Sequence, residues 1–192
     1  YLDDSILMSD MASITSNMAA TNGGGVFAIN TSLLDMDLGG YACSGPRCSR
    51  LSYNTATNLY GGGVYATSTS EVDLRQIFIE SNSANLGGAV YMYQSPFYLY
   101  NSLVARNNAS GGSGDGLRIY TGSTMTGQHN TLANNDASGA TTGAAISASG
   151  ATLTLSNSII WNHTTSIDLV GQTVTCSDIQ GLRPVEPYKL KG

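Results

Sequence analysis

Charge is what this sequence has least of. Asp, Glu, Lys and Arg make up 11% of its 192 residues, against about 25% in an average globular protein. The eight Lys and Arg are scattered and the net charge is −5, so the basic stripe that a nucleic-acid partner requires is missing. Long apolar runs are missing too. None approaches the roughly 18 residues of a transmembrane helix, and no polybasic cluster addresses a membrane surface. The partner expectations are therefore no nucleic acid and no membrane insertion within this segment. With two His and three Cys, the chain has no Cys–His ligand set, Ser–His–Asp grouping or phosphate-loop pattern, and no cofactor or metal is implied. No apolar stripe of 3.6-residue period is long enough for a helix. Neither an initiator Met nor a signal-peptide pattern stands at Tyr1, so the chain reads as a mature product or an excised piece.

Gly, Ser, Thr and Asn fill the space that charge leaves, a composition suited to many tight turns. One stretch keeps being rewritten: Gly61-Gly62-Gly63-Val64-Tyr65-Ala66 recurs as Gly23-Gly24-Gly25-Val26-Phe27-Ala28 and as Gly87-Gly88-Ala89-Val90-Tyr91-Met92. Weaker copies begin at Gly114 and Thr142. Val64, Val90, Leu117 and Ile146 are separated by 26, 27 and 29 residues. An apolar-x-x-Asn motif precedes each cluster and ends at Asn17, Asn54, Asn82, Asn107, Asn135 and Asn162, in steps of 37, 28, 25, 28 and 27. An insertion over residues 37–50 accounts for the long first step. Self-similarity at such a period marks a repeat architecture.

Within each unit the apolar residues alternate in three short segments: Val64 and Ala66 against Tyr65, Val72 and Leu74 against Asp73, Ile77 and Ile79 against Phe78. Alternation of period two gives half-buried strands. Three strands per coil, each pairing with its counterpart one coil later, predict an all-β right-handed parallel β-helix. About six coils of roughly 25–28 residues would rise about 4.8 Å each. The inward columns expected are Val26, Val64, Val90, Leu117, Ile146 and Ile14, Leu51, Ile79, Val104, Leu132, Ile159. Corner glycines supply positive φ. The recurring Asn would adopt left-handed geometry and bond the Asn above and below. The solenoid spans residues 1–181, and 182–192, with two prolines and no alternation, form a tail or linker. Leu7 to Asn17 match Val72 to Asn82 at a constant offset of 65, so the chain starts partway through a coil. Its open strand edges call for further coils or a cap before residue 1.

The pairing of apolar-x-x-Asn with Gly-Gly-[Ala/Gly]-Val resembles the repeats of polymorphic outer-membrane proteins and related autotransporter passenger domains. Asn157-Ser-Ile-Ile-Trp-Asn162 followed by Cys176-Ser-Asp-Ile-Gln-Gly181 is similar to secreted bacterial β-helix proteins of the pectin-lyase-like superfamily. The resemblance covers about residues 5–181. It implies an extracellular or cell-surface, bacterial setting, in families that mix adhesins, structural stalks and polysaccharide enzymes.

Aromatics supply the candidate binding face. Phe27, Tyr65 and Tyr91 take one outward position on successive coils, Tyr93 and Tyr120 a neighbouring one, and Tyr98 and Tyr100 lie outward on the next sheet. Such rings are either a stacking ladder or flat faces for a glycan or a surface protein. Stacking by the Asn motif also sets Asp35 over Asp73 and Asp37 over Arg75. A polysaccharide lyase or glycosidase would use such carboxylates, with the arginine beside them, whereas a solvated ion pair is the plainer reading. Outward threonine pairs at Thr124/Thr126, Thr152/Thr154 and Thr173/Thr175 are the pattern of an ice-binding solenoid, on a strand where threonine is common anyway. His129 and His163 read as surface or turn residues. Cys43 and Cys48 frame a turn and form the candidate disulfide, and Cys176 reads as a small buried hydrophobe. The function expected is a non-catalytic structural or adhesive module. The alternative is a polysaccharide-active enzyme or its inactive remnant.

Overall fold

The computed structural model describes residues 1–36, 48–135, 144–161 and 172–179. All pairing between strands is parallel, each strand meeting its counterpart one coil away, as a β-helix requires. The first sheet stacks Leu2–Asp3, Val26–Ile29, Val64–Ala66, Val90–Tyr93, Leu117–Tyr120 and Ile146–Ser149. The second stacks Ile6–Met8, Leu33–Met36, Glu71–Arg75, Pro96–Tyr100, Thr124–Gln128, Thr152–Ser156 and Thr173–Thr175. The third runs from Ser13–Thr15 through Ser49–Ser52, Ile77–Glu80, Leu103–Ala105, Thr131–Ala133 and Ile159–Trp161 to Asp178–Ile179. Ser49 and Arg50, counted with the insertion from sequence, thus belong to a strand. Residues 37–47 and the tail after 180 lie outside the described residues.

Three strands per coil understate the first four coils. A fourth, narrow sheet follows the Asn corner: Met18–Ala19, Thr55–Ala56, Ser83–Leu86 and Asn108–Ser113. These strands lack clean alternation, so periodicity does not reveal them.

The core is one column of apolar side chains inside the sheets. Val64, Leu74, Ile79, Val90, Leu99, Val104, Leu117 and Leu132 are among its fully buried members. Each contributes about 1.5–3 kcal/mol by leaving water. The expected columns hold in both sheets up to Leu132. The next coil differs by one residue: Leu132 faces Ile160, not Ile159. Ile160 is 1% exposed and Ile159 48%. A slip of one residue reverses every side chain of a strand, and here Asn130 sets the register by donating its main-chain N–H to Ser158 Oγ at 3.1 Å.

The Asn corner is a continuous ladder. The Nδ2 of Asn17, Asn54, Asn82 and Asn107 donates to the Oδ1 of Asn54, Asn82, Asn107 and Asn135 at 2.9–3.0 Å. The main-chain N–H groups of the same four donors reach the same oxygens at 2.9–3.1 Å. The left-handed residue, however, is the one before each Asn: Ser16, Tyr53, Ser81, Arg106 and Asn134 have φ of 54–59°. That turn lets the amide point inward while the left-handed residue keeps its own side chain outside. Serines and Asn130 build a second such ladder between the second and third sheets, with Asn101, His129, Asn157 and Cys176 among its left-handed residues. Cys176 is accordingly exposed and free, not buried, because a corner residue must turn its side chain out. His129 is a turn residue, as expected; His163 lies outside the described residues. At the glycine corner, Gly61 has φ +65°, and a Cβ on Gly62 would sit 2.3 Å from the carbonyl oxygen of Gly88.

Candidate functional site

The first sheet presents alternate side chains outward, and register alone makes them a column. Phe27 faces Tyr65, and Tyr65 faces Tyr91. Tyr91 faces Arg118, and Arg118 faces Ser147. Tyr93 faces Tyr120 in the neighbouring column. Both columns were legible in the sequence.

Two further rings were not. Tyr1 packs edge-on against Phe27, with centroids 5.2 Å apart. Tyr60, immediately before the corner Gly61, folds onto the sheet, stacking on Tyr91 at 4.5 Å and meeting Tyr65 at 5.8 Å. A signal existed for each. Tyr1 precedes Leu2, which pairs with Ala28, and a residue just before a left-handed corner can swing its side chain over the next face.

The rings join into one surface. Phe27–Tyr65, Tyr65–Tyr91 and Tyr91–Tyr120 centroids lie 5.1, 5.6 and 6.3 Å apart, with planes tilted by 46°, 50° and 54°. Tyr93 and Tyr120 stack at 6.0 Å. Tyr91, expected as a contact residue, is only 5% exposed, because Tyr60 covers it. Burial is the main reason its hydroxyl pKa is pushed up to about 12, and the neighbouring Tyr60 adds to it. Burial likewise raises the pKa of Tyr65. The surface open to a ligand is therefore Phe27, Tyr60, Tyr65, Tyr93 and Tyr120, all half-buried, over a buried Tyr91.

Tyr98 and Tyr100 lie on the second sheet, and no ring contact joins them to this cluster. They share that face with the carboxylates. Asp35 sits over Asp73 and Asp73 over Tyr98, as expected. Arg75 grips both oxygens of Asp73, at 2.8 and 2.7 Å, and lies 5.0 Å over the ring of Tyr100. Asp37 lies outside the described residues. This bidentate clamp uses both oxygens that an acid or base would need. Among the described residues no three His, Cys, Asp or Glu side chains gather as a metal site would need. On the third sheet Glu80 takes Arg50 and Arg106 together, and Arg50 covers the ring of Phe78 at 4.8 Å.

Thr124 and Thr126 face Thr152 and Thr154, but Thr173 then faces Thr154 and Thr175 faces Ser156. The third pair is offset by one outward position, so the threonine rows stay short. Cys48 is disulfide-bonded; Cys43 lies outside the described residues.

A family model described as "Right handed beta helix region" matches residues 5–177. No curated protein and no solved structure matches the chain.

Proposed function

The chain belongs to the right handed beta helix family, and from that premise we propose that it is a non-catalytic module of the cell surface or extracellular space. It holds out an exterior aromatic face that binds glycan or protein. The observation that carries this reading is the single surface of rings running from Tyr1 to Tyr120. A ladder made only to stack coils would repeat in every coil. This one stops at Arg118 and Ser147, whose coils pair in the same register without a ring in that column. Along its main run the rings are tilted rather than parallel, and Tyr60 joins from outside the column. Contiguous exposed apolar patches of this kind mark binding surfaces. Flat rings with a hydroxyl at the rim suit sugar faces and mixed protein surfaces alike. The open first coil, where Ile6, Met8 and Met18 are exposed, supports further coils or a cap as a structural partner.

The test separates binding from turnover. The protein is incubated with immobilised neutral and anionic polysaccharides and with intact cells, and both retention and products are measured. Retention without new reducing ends or unsaturated products is the expected result. Release of such products, abolished by Asp73→Ala, would replace this reading with the enzymatic one.

A further inference from the structure

Arg118 stands where the aromatic row ends. It follows Tyr91 in the outward column, and beyond it the first sheet carries only Ser147 and Ser149. Its guanidinium lies 4.9 Å over the ring of Tyr120, and Nη1 donates to Ser147 Oγ. The described residues contain four arginines and no lysine. Three have carboxylates: Arg50 and Arg106 share Glu80, and Arg75 holds Asp73. Arg118 has none, and its Nε is buried with no acceptor. In a chain with 13 acidic and eight basic residues, that is the anomaly. A guanidinium is shaped to take the oxygens of an oxyanion, and the Arg118 side chain is only half-buried although its Nε is closed off.

We propose that Arg118 is an anion subsite at the end of the aromatic face, so that the ligand is a glycan carrying an isolated acidic sugar. This rests on the reading of the face as a binding surface. Neutral rings lie on Tyr60, Tyr65 and Tyr93, and one carboxylate or sulfate reaches the guanidinium beside the serine shelf. One cation serves a row of uncharged rings. A polyanion with an acid on every sugar would lay uncompensated charge over the tyrosines, so sparse acidity is preferred to dense acidity. Tyr120 and Ser147 hold the guanidinium in place, as a preorganised oxyanion site requires.

The experiment uses a panel of matched oligosaccharides built on glucose, galactose and N-acetylglucosamine. Each is offered neutral, with one terminal uronate, and with a uronate on every residue. The singly acidic members should bind about tenfold more tightly than their neutral partners, the size of one charge-assisted contact at a partly exposed site. Arg118→Gln should erase that preference, so that the singly acidic and neutral members of each set bind alike. Arg118→Lys should restore part of it, and added salt should weaken it. An unchanged preference in Arg118→Gln, or polyuronates that bind as well as singly acidic glycans, would overturn the inference and leave the aromatic face standing. A panel with no binder at all would overturn both.

Discussion

Two columns of side chains climb this rod with the same coil-to-coil spacing, yet they are built on opposite terms. The Asn column keeps one residue type from Asn17 to Asn135, because each amide must both accept from the coil before and donate to the coil after. The aromatic column runs Tyr1, Phe27, Tyr65, Tyr91, then gives way to Arg118 and Ser147. The first is fully buried from Asn54 onward and closed to solvent; the second ranges from an exposed Tyr1 to a buried Tyr91, and is irregular and finite. In the Asn column every member does the same bonding work. In the aromatic column the last members bond differently from the first, which leaves that face open to another use.

Breaking the Asn column should have the largest effect. Asn82→Ala removes two bonds accepted from Asn54 and two donated, to Leu51 and Asn107. It leaves buried partners without acceptors or donors, at about 1–3 kcal/mol for each such group. A loss of about 4 kcal/mol is expected. Denaturant unfolding checks it, and a loss under about 1 kcal/mol would mean the ladder is incidental.

Gly62→Ala should come next, at about 3 kcal/mol. Its Cβ would meet the Gly88 carbonyl at 2.3 Å and the main chain of Ser83 at 2.6 Å, so two coils must separate. Thermal melts of the variant would show this directly; an unchanged midpoint would contradict the close stacking of the corner.

A smaller effect comes from pH. The hydroxyl of Tyr91 is pushed from 10.0 up to about 12 in the folded chain. A raised folded pKa means stability that is complete below pH 10.0 and lost as pH climbs through about 12, since the unfolded chain ionises first. Tyrosinate absorbance should show one ring resisting ionisation until the fold melts, and Tyr91→Phe should remove that late step. Early titration of every ring would mean that Tyr60 does not cover Tyr91.

What was legible in the sequence is what chemistry repeats. Asn and Gly recur because one amide or one missing Cβ solves the same problem in each coil, and so register, core and the outward aromatics could be read off. The left-handed corner residues Ser16, Tyr53, Ser81 and Arg106 share a backbone angle but no side-chain chemistry, which left them invisible and made the neighbouring Asn look left-handed. Ile159 and Ile160 are equally apolar, so the pairing register, held by the bonds of Asn130 with Ser158 and Ile159, decides which enters the core. Tyr91 looked exposed because alternation describes one strand and knows nothing of Tyr60, which arrives from the preceding corner. That Arg118 has no carboxylate beside it was likewise out of reach, since that is a property of the folded surface.

The most direct measurement is the double variant Tyr60→Ser, Tyr65→Ser, assayed side by side for melting temperature and for retention on glycans and cell surfaces. These rings are only half-buried and lie outside the core, so stability should fall by about 1 kcal/mol or less. Binding should fall by roughly 1–2 kcal/mol per ring, as interface aromatics do. A variant that melts far earlier yet binds as well as the parent would show that the rings are a second ladder, and that the contrast between the two columns is false.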